Sequence, residues 1–153
     1  LKSFGKLLML RVTKMTDYAS MLLACLAQEP DKVHSATELP ERAKLELPTV
    51  SKVLKPLAQA GLVDGFRGSQ GGYRLAMPAA QINLYAVVEA MEGRLGMTEC
   101  AGQHSQCEHE PHCGIQNHWQ KINDVIANAL KSVSIAELSR TSSKRIPLNL
   151  AKA

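Results

Sequence analysis

The stretch LPTVSKVLKPLAQAGLVDGFRGSQGGYRLA, Leu47 to Ala76, decides the fold. Val50, Val53, Leu54 and Leu57 recur at i, i+3, i+4 and i+7, the stripe of a helix that faces a core. Pro48 suits the first helical position, and Gly61 suits the C-cap. Pro56 lacks the amide that would bond the Lys52 carbonyl, so a kink is expected there. The same stripe turns Thr49, Ser51, Lys52 and Lys55 outward. Beyond Gly61, two β-type runs at 62–67 and 73–76 flank GSQGG, a glycine-rich loop of hairpin type.

Upstream, Thr13 is placed to cap a helix that runs through about Gln28 and ends at Pro30-Asp31. Ser35-Ala-Thr-Glu38 has the spacing of a capping box, with a short helix to about Lys44 behind it. Residues 1–8 precede the first interpretable signal, and a start at Met9 is expected. Downstream, Pro78 and NLYAVVEAMEG point to a helix ending near Glu92. A last long helix is expected from about Ile115 to Val133. Its apolar residues Trp119, Ile122, Ile126, Ala129 and Val133 are spaced 3, 4, 3, 4, a coiled-coil seam. Residues 141–153 read as a loose tail.

Three helices followed by a glycine-tipped hairpin is the order of a winged helix-turn-helix. The expected fold is therefore mainly α with a small β-hairpin: a winged helix-turn-helix plus a long C-terminal dimerisation helix. The divisions are 9–80 for the DNA-binding domain, 81–96 for a connecting helix, 97–114 for a cysteine-bearing loop, 115–140 for the dimerisation helix and 141–153 for the tail. Residues 42–76 hold six Lys/Arg against Glu46 and Asp64, a local excess of four positive charges. Duplex DNA is the partner such a face fits. Hydroxyls and ammonium groups at Thr49, Ser51, Lys52 and Lys55 suit base edges and phosphates in a major groove. At the hairpin tip Arg67, Ser69, Gln70, Gly71 and Arg74 surround backbone amides bare enough to approach phosphate. A seam left over beyond a complete small domain calls for a second copy of the chain, and so a homodimer.

Aromatic residues make up only 4% of the 153, and the apolar mass is mostly Leu, Ala, Val, Ile and Met, which disfavours a β-sandwich. No apolar run approaches the roughly 20 residues that span a bilayer, so a cytoplasmic protein without a membrane partner is expected. No catalytic constellation has a recognisable spacing, which argues against an enzyme.

One segment has a different chemistry. ECAGQHSQCEHEPHCGIQNHW, residues 99–119, gathers three of the four cysteines and four of the five histidines without a Lys or Arg. Clustered cysteines in a reducing compartment point to metal binding or redox chemistry. Cys100, Cys107 and Cys113 are too widely spaced for the tight knuckle of a structural zinc site, but a loop can close them around one object. Three thiolates suit an iron–sulfur cluster, with zinc as the alternative. A fourth ligand is missing. His118, Gln116 and the distant Asp17 are contenders, while His104, His109 and His112 lie between the cysteines. Cys25, mid-helix among Leu and Ala, reads as a buried structural thiol.

Taken together, MLRVTKMTDYASMLLACLA, the GLV-x-x-x-RG-x-x-GGYRL wing and the three-cysteine loop followed by GIQNHW resemble the Rrf2 family of iron–sulfur winged-helix regulators, the IscR, NsrR and RirA type. Within it the chain is most similar to regulators of proteobacterial Suf cluster-assembly operons. The resemblance covers about Met9 to Arg140. It implies a homodimeric transcription factor, a repressor of cluster-assembly genes, whose promoter binding is controlled by a cluster on Cys100, Cys107 and Cys113. A 2Fe–2S cluster is expected ahead of a 4Fe–4S one. IscR-type proteins place a histidine three residues after the last cysteine. Here that position is Gln116, and His118 lies about 200° further round the helix. NsrR-type proteins use an aspartate in T-K-x-T-D, and TKMTD here puts Asp17 in that place, which implies Asp17 of the partner subunit as fourth ligand. The rival readings are a winged-helix regulator with a structural zinc, and a cluster carrier or electron-transfer protein.

Overall fold

Thr13 opens the first helix as its hydroxyl predicts: its backbone is extended and its side chain accepts from the Thr16 amide. Helix α1 then runs Lys14–Ala27 and buries Ala19, Leu22, Leu23 and Leu26. The structure, a computed structural model, describes residues 12–96 and 114–140. The expected cluster loop and its three cysteines, with His104, His109 and His112, lie outside the described residues, as do the segments before residue 12 and after residue 140.

Helix α2, Glu38–Ala43, forms only half of the expected capping box. Ser35 Oγ accepts from the Glu38 amide at 3.1 Å, but the Glu38 carboxylate turns to Lys32 and Arg42 instead of the Ser35 amide. The charged partners win because they offer ionic hydrogen bonds to the same oxygen. Helix α3, Leu47–Gln59, begins one residue before Pro48 and continues through Pro56. Its buried residues are Val50, Val53, Leu54 and Leu57, the stripe read from the sequence. It ends in a Schellman motif: Gly61, at φ +70°, bonds Ala58 O, and the Leu62 amide bonds Leu57 O at 2.9 Å. Leu57 and Leu62 are both buried there.

The turn feeds strand β1, Val63–Phe66, which pairs antiparallel with β2, Gly72–Leu75, in the register Val63 opposite Leu75 and Phe66 opposite Gly72. After a short 3-10 turn at Ala79–Gln81, Asn83 caps helix α4, Leu84–Glu92, by accepting from the Ala86 amide at 2.9 Å. The core joins these elements: Leu22, Leu23 and Leu26 of α1, Leu39 of α2, the α3 stripe, Val87 of α4 and Ile82 are all essentially inaccessible. Each such side chain contributes about 1.5–3 kcal/mol of transfer free energy.

The C-terminal segment differs from the single helix expected over 115–140. Helix α5 spans Gln116–Lys131, and a separate helix α6 spans Ile135–Arg140. The break has a cause: Leu84 N bonds Val133 O at 2.9 Å, Ile135 N bonds Ile82 O at 2.8 Å, and Ser134 bridges Asn83. Those backbone groups cannot also close helical turns. The bridge drives Ile135 into the core and folds α6 against α1. No helix among the described residues is long and apolar enough to cross a membrane.

Candidate functional site

The outward face of α3 and the tip of the hairpin are both polar and exposed. Ser51, Lys52 and Lys55 are exposed and Thr49 is half-buried. Ser51 Oγ donates back to Leu47 O at 3.0 Å, so the hydroxyl keeps its lone pairs available while its hydrogen is engaged. On the wing Arg67, Ser69 and Gln70 are exposed, and Gly71 closes the turn by donating to Gly68 O at 3.0 Å. Arg74 is half-buried, its guanidinium stacked 4.9 Å over the Phe66 ring. Two apolar side chains on these elements were not singled out from sequence: Leu47, half exposed at the start of α3, and Phe66, 40% exposed on the wing.

The wing is held from below. His34, fully buried in the connection between α1 and α2, forms an isolated bridge with Tyr73, His34 N to Tyr73 O at 2.9 Å and Tyr73 N to His34 O at 2.8 Å. A Cβ on Gly72 would lie 2.1 Å from His34 O, so only glycine lets the strand approach this closely. Arg42 gathers the surrounding charges. Its guanidinium contacts Glu29 and lies 3.3 Å from both Glu38 and His34 Nδ1, and His34 Nδ1 is itself 3.5 Å from Glu38 Oε1. Hydrogen bonds from Lys32 and Arg42 hold the Glu38 carboxyl down at about 2, and Arg42 lowers Glu29. Glu29, His34 and Glu38 could on spacing alone gather a metal ion, but the Arg42 guanidinium already sits among them as the cation.

A second pole lies at the start of α1. A groove of about 590 Å³ is walled by Val12, just before α1, and by Met21, Leu84, Val88, Leu130 and Leu138 from α1, α4, α5 and α6. Asp17 lies on this groove, exposed, and its carboxylate makes no hydrogen bond or ion pair among the described residues. One turn back, Thr13 and Thr16 are held by Glu92, the last residue of α4. Helix α5 and the residue before it present apolar side chains to solvent: Ile115, Ile122 and Val125 are 59%, 43% and 68% exposed. Of the seam residues, Ile122 and Ala129 are exposed while Trp119, Ile126 and Val133 are half-buried; the residue that α5 buries is Ala127. His118 is exposed in the first turn of α5 and Gln116 is half-buried beside it. Cys25 is half-buried, with its thiol toward Arg42 O at 3.8 Å, and burial pushes its pKa up, as suits a structural thiol.

The residue types fit an iron–sulfur cluster in their chemistry: three cysteines in one short segment of the sequence, and an exposed carboxylate with no partner among the described residues.

Residues 12–141 match the Rrf2 family, described as an iron-dependent transcriptional regulator. A helix-turn-helix-type transcriptional regulator of Neisseria meningitidis serogroup A is 37% identical over 64% of this chain and 66% of its own length. The NsrR transcriptional regulator of Halalkalibacterium halodurans is 32% identical over 79% of this chain and 80% of its own. The solved structure of T. potens IscR shares the fold with a TM-score of 0.64 at 24% identity, covering 94% of each chain. These relatives are regulators, not enzymes.

Proposed function

This chain belongs to the Rrf2 family of DNA-binding transcriptional regulators, and from that premise we propose that it is a homodimeric repressor of iron–sulfur cluster assembly genes, controlled by a cluster of its own. Cys100, Cys107 and Cys113 hold the cluster, 2Fe–2S in type, and Asp17 of the partner subunit completes its ligands. Residues 9–80 read the promoter through Thr49, Ser51, Lys52 and Lys55 of α3 and through Arg67, Ser69, Gln70, Gly71 and Arg74 of the wing. Residues 81–96 connect this domain to the cluster loop at 97–114, and 115–140 supply the dimer contact.

The observation that carries the reading is the setting of Asp17. A carboxylate with no hydrogen bond or ion pair among the described residues lies on an open groove with apolar walls, and the neighbouring helix α5 leaves Ile122 and Val125 exposed. A second subunit would cover both and bring a cysteine loop to the carboxylate. The cluster, when bound, supplies a labile link there, because a carboxylate is a hard and weak ligand for its iron. Asp17 would orient and tether that link. Its helix α1 packs on α3, so a change at Asp17 has a short path to the reading surface.

Anaerobic purification tests this. The expected protein is brown, with iron and acid-labile sulfide in equal amounts. Asp17→Ala is expected to change the absorption spectrum and to shorten cluster lifetime. A colourless protein holding one zinc per chain overturns the cluster. An Asp17→Ala protein with the wild-type spectrum, lifetime and promoter affinity overturns the assignment of Asp17.

A further inference from the structure

The last residue of α4 does an unusual job. Glu92 Oε1 accepts from the Thr13 backbone amide at 2.8 Å and from Thr16 Oγ at 2.6 Å, contacts made across 79 and 76 residues of sequence. A single carboxylate oxygen thus holds the N-cap residue of α1 and a buried hydroxyl of its first turn. Both bonds favour the ionised form, and Thr16 first and the Thr13 amide second keep the Glu92 carboxyl below its usual range. The negative charge also faces the positive end of the α1 dipole.

The position matters more than the strength. Gly93, at φ +86°, ends α4 immediately after Glu92. Cys100 follows only eight residues after Glu92, so the chain that enters the cysteine loop is anchored by the same residue that holds α1. Asp17 stands one turn beyond Thr13, its amide bonded to Thr13 O at 3.2 Å. We propose that Glu92 is a positioning residue: it clamps the N-terminus of α1 to the entrance of the cysteine loop, so that the state of the loop is transmitted to α1 and through it to the reading helix α3. This rests on the cluster reading above, and it adds the element of the chain that carries the signal.

The observable is a ratio. Promoter affinity is measured by fluorescence anisotropy for the cluster-loaded and the cluster-free dimer, in wild type, Glu92→Ala, Glu92→Gln and Thr16→Val. A clamp that only stabilises the fold lowers the melting temperature and leaves the ratio of the two affinities unchanged. A clamp that couples them moves the ratio toward one by about threefold to tenfold in Glu92→Ala and Thr16→Val. Glu92→Gln keeps an accepting oxygen and is expected to restore most of the ratio. Amide exchange in the cluster-free protein gives a second readout, with faster exchange at Thr13 and through the first turn of α1 in Glu92→Ala. Unchanged ratios in both Glu92→Ala and Thr16→Val overturn the clamp while leaving the cluster reading standing. A wild-type protein with equal affinities in its two forms, or with no cluster, overturns the reading itself and the coupling with it.

Discussion

Gly72 shows how a single residue places the wing. Its missing side chain leaves room for His34 O, and the paired bonds between His34 and Tyr73 add a third strand-like contact to the hairpin. Gly72→Ala forces the two backbones apart and is expected to cost about 1–3 kcal/mol, the usual range for overfilling a packed site. Urea unfolding reads that loss, and promoter binding should weaken with it because the wing tilts away from α3. The residue beneath the wing also sets an acid limit. The Glu38 carboxyl sits at about 2 in the folded protein against an ordinary value of 4.5, so its contribution to stability is complete above about 4.5. It is lost as pH falls through about 2. Glu29 and Glu92 are lowered too, so they shift stability in the same direction. Glu38→Gln should flatten the acid limb of a plot of urea midpoint against pH and leave the neutral region nearly unchanged. An acid limb as steep as in wild type would remove Glu38 from the account. Lys32 and Arg42 are the cations whose charge makes the difference.

At the scale of elements, the local patterns were legible and the long-range ties were not. Val50, Val53, Leu54 and Leu57 are buried as their spacing requires, and Gly61 closes the helix they belong to, because a helical period and its cap are decided within one short segment. The polar face opposite them follows from the same geometry, so the exposure of Ser51, Lys52 and Lys55 could be read with it. The support of the wing by His34 and the capping of Thr13 by Glu92 join residues distant in sequence, and no periodicity reports such pairs. The capping box at Ser35 misled for a related reason: its Glu38 meets Lys32 and Arg42 only once α1 and α2 are folded together. In α5 a heptad was visible, but the bridge from Asn83 to Ser134 ends the helix early and turns Ala127, outside the seam, toward the domain. What remains exposed includes Val125, also outside the seam. A substitution at this face belongs to the element rather than to the fold. Val125→Glu and Ile122→Glu should leave the melting temperature of a monomer intact and shift sedimentation equilibrium toward single chains. A stable dimer in the double variant would count against α5 as the contact. On the opposite surface, Lys52→Ala and Arg67→Ala should each lower the salt dependence of promoter binding by about one unit of slope, since each removes about one phosphate contact.

At the scale of the whole molecule, the two poles are one device only if a site is shared between subunits. Cys100, Cys107 and Cys113 stand out in the sequence as candidate donors by residue type and clustering. Asp17 enters only through the resemblance carried by TKMTD, because no spacing within the chain ties it to them. Asp17, exposed on its groove and without a hydrogen bond or ion pair among the described residues, makes the sharing testable by mixing broken subunits. Consider one chain with Cys100→Ala and an intact Asp17, co-expressed under a second tag with a chain carrying Asp17→Ala and intact cysteines. If the fourth ligand crosses between subunits, the mixed dimer contains one complete site, built from the cysteines of the second chain and Asp17 of the first, and one doubly broken site. Tandem purification of the mixed dimer should then recover one wild-type-like cluster per two chains, with the wild-type spectrum and lifetime. If Asp17 serves the cysteines of its own chain, neither site is complete and the mixed dimer resembles the Asp17→Ala homodimer. The Asp17→Ala homodimer is the necessary control, because a cluster with wild-type properties there would mean that Asp17 is no ligand in either sense. Promoter affinity of the mixed dimer then reports whether one complete site is enough to move both reading helices, which a rigid two-fold interface requires and two independent wings do not.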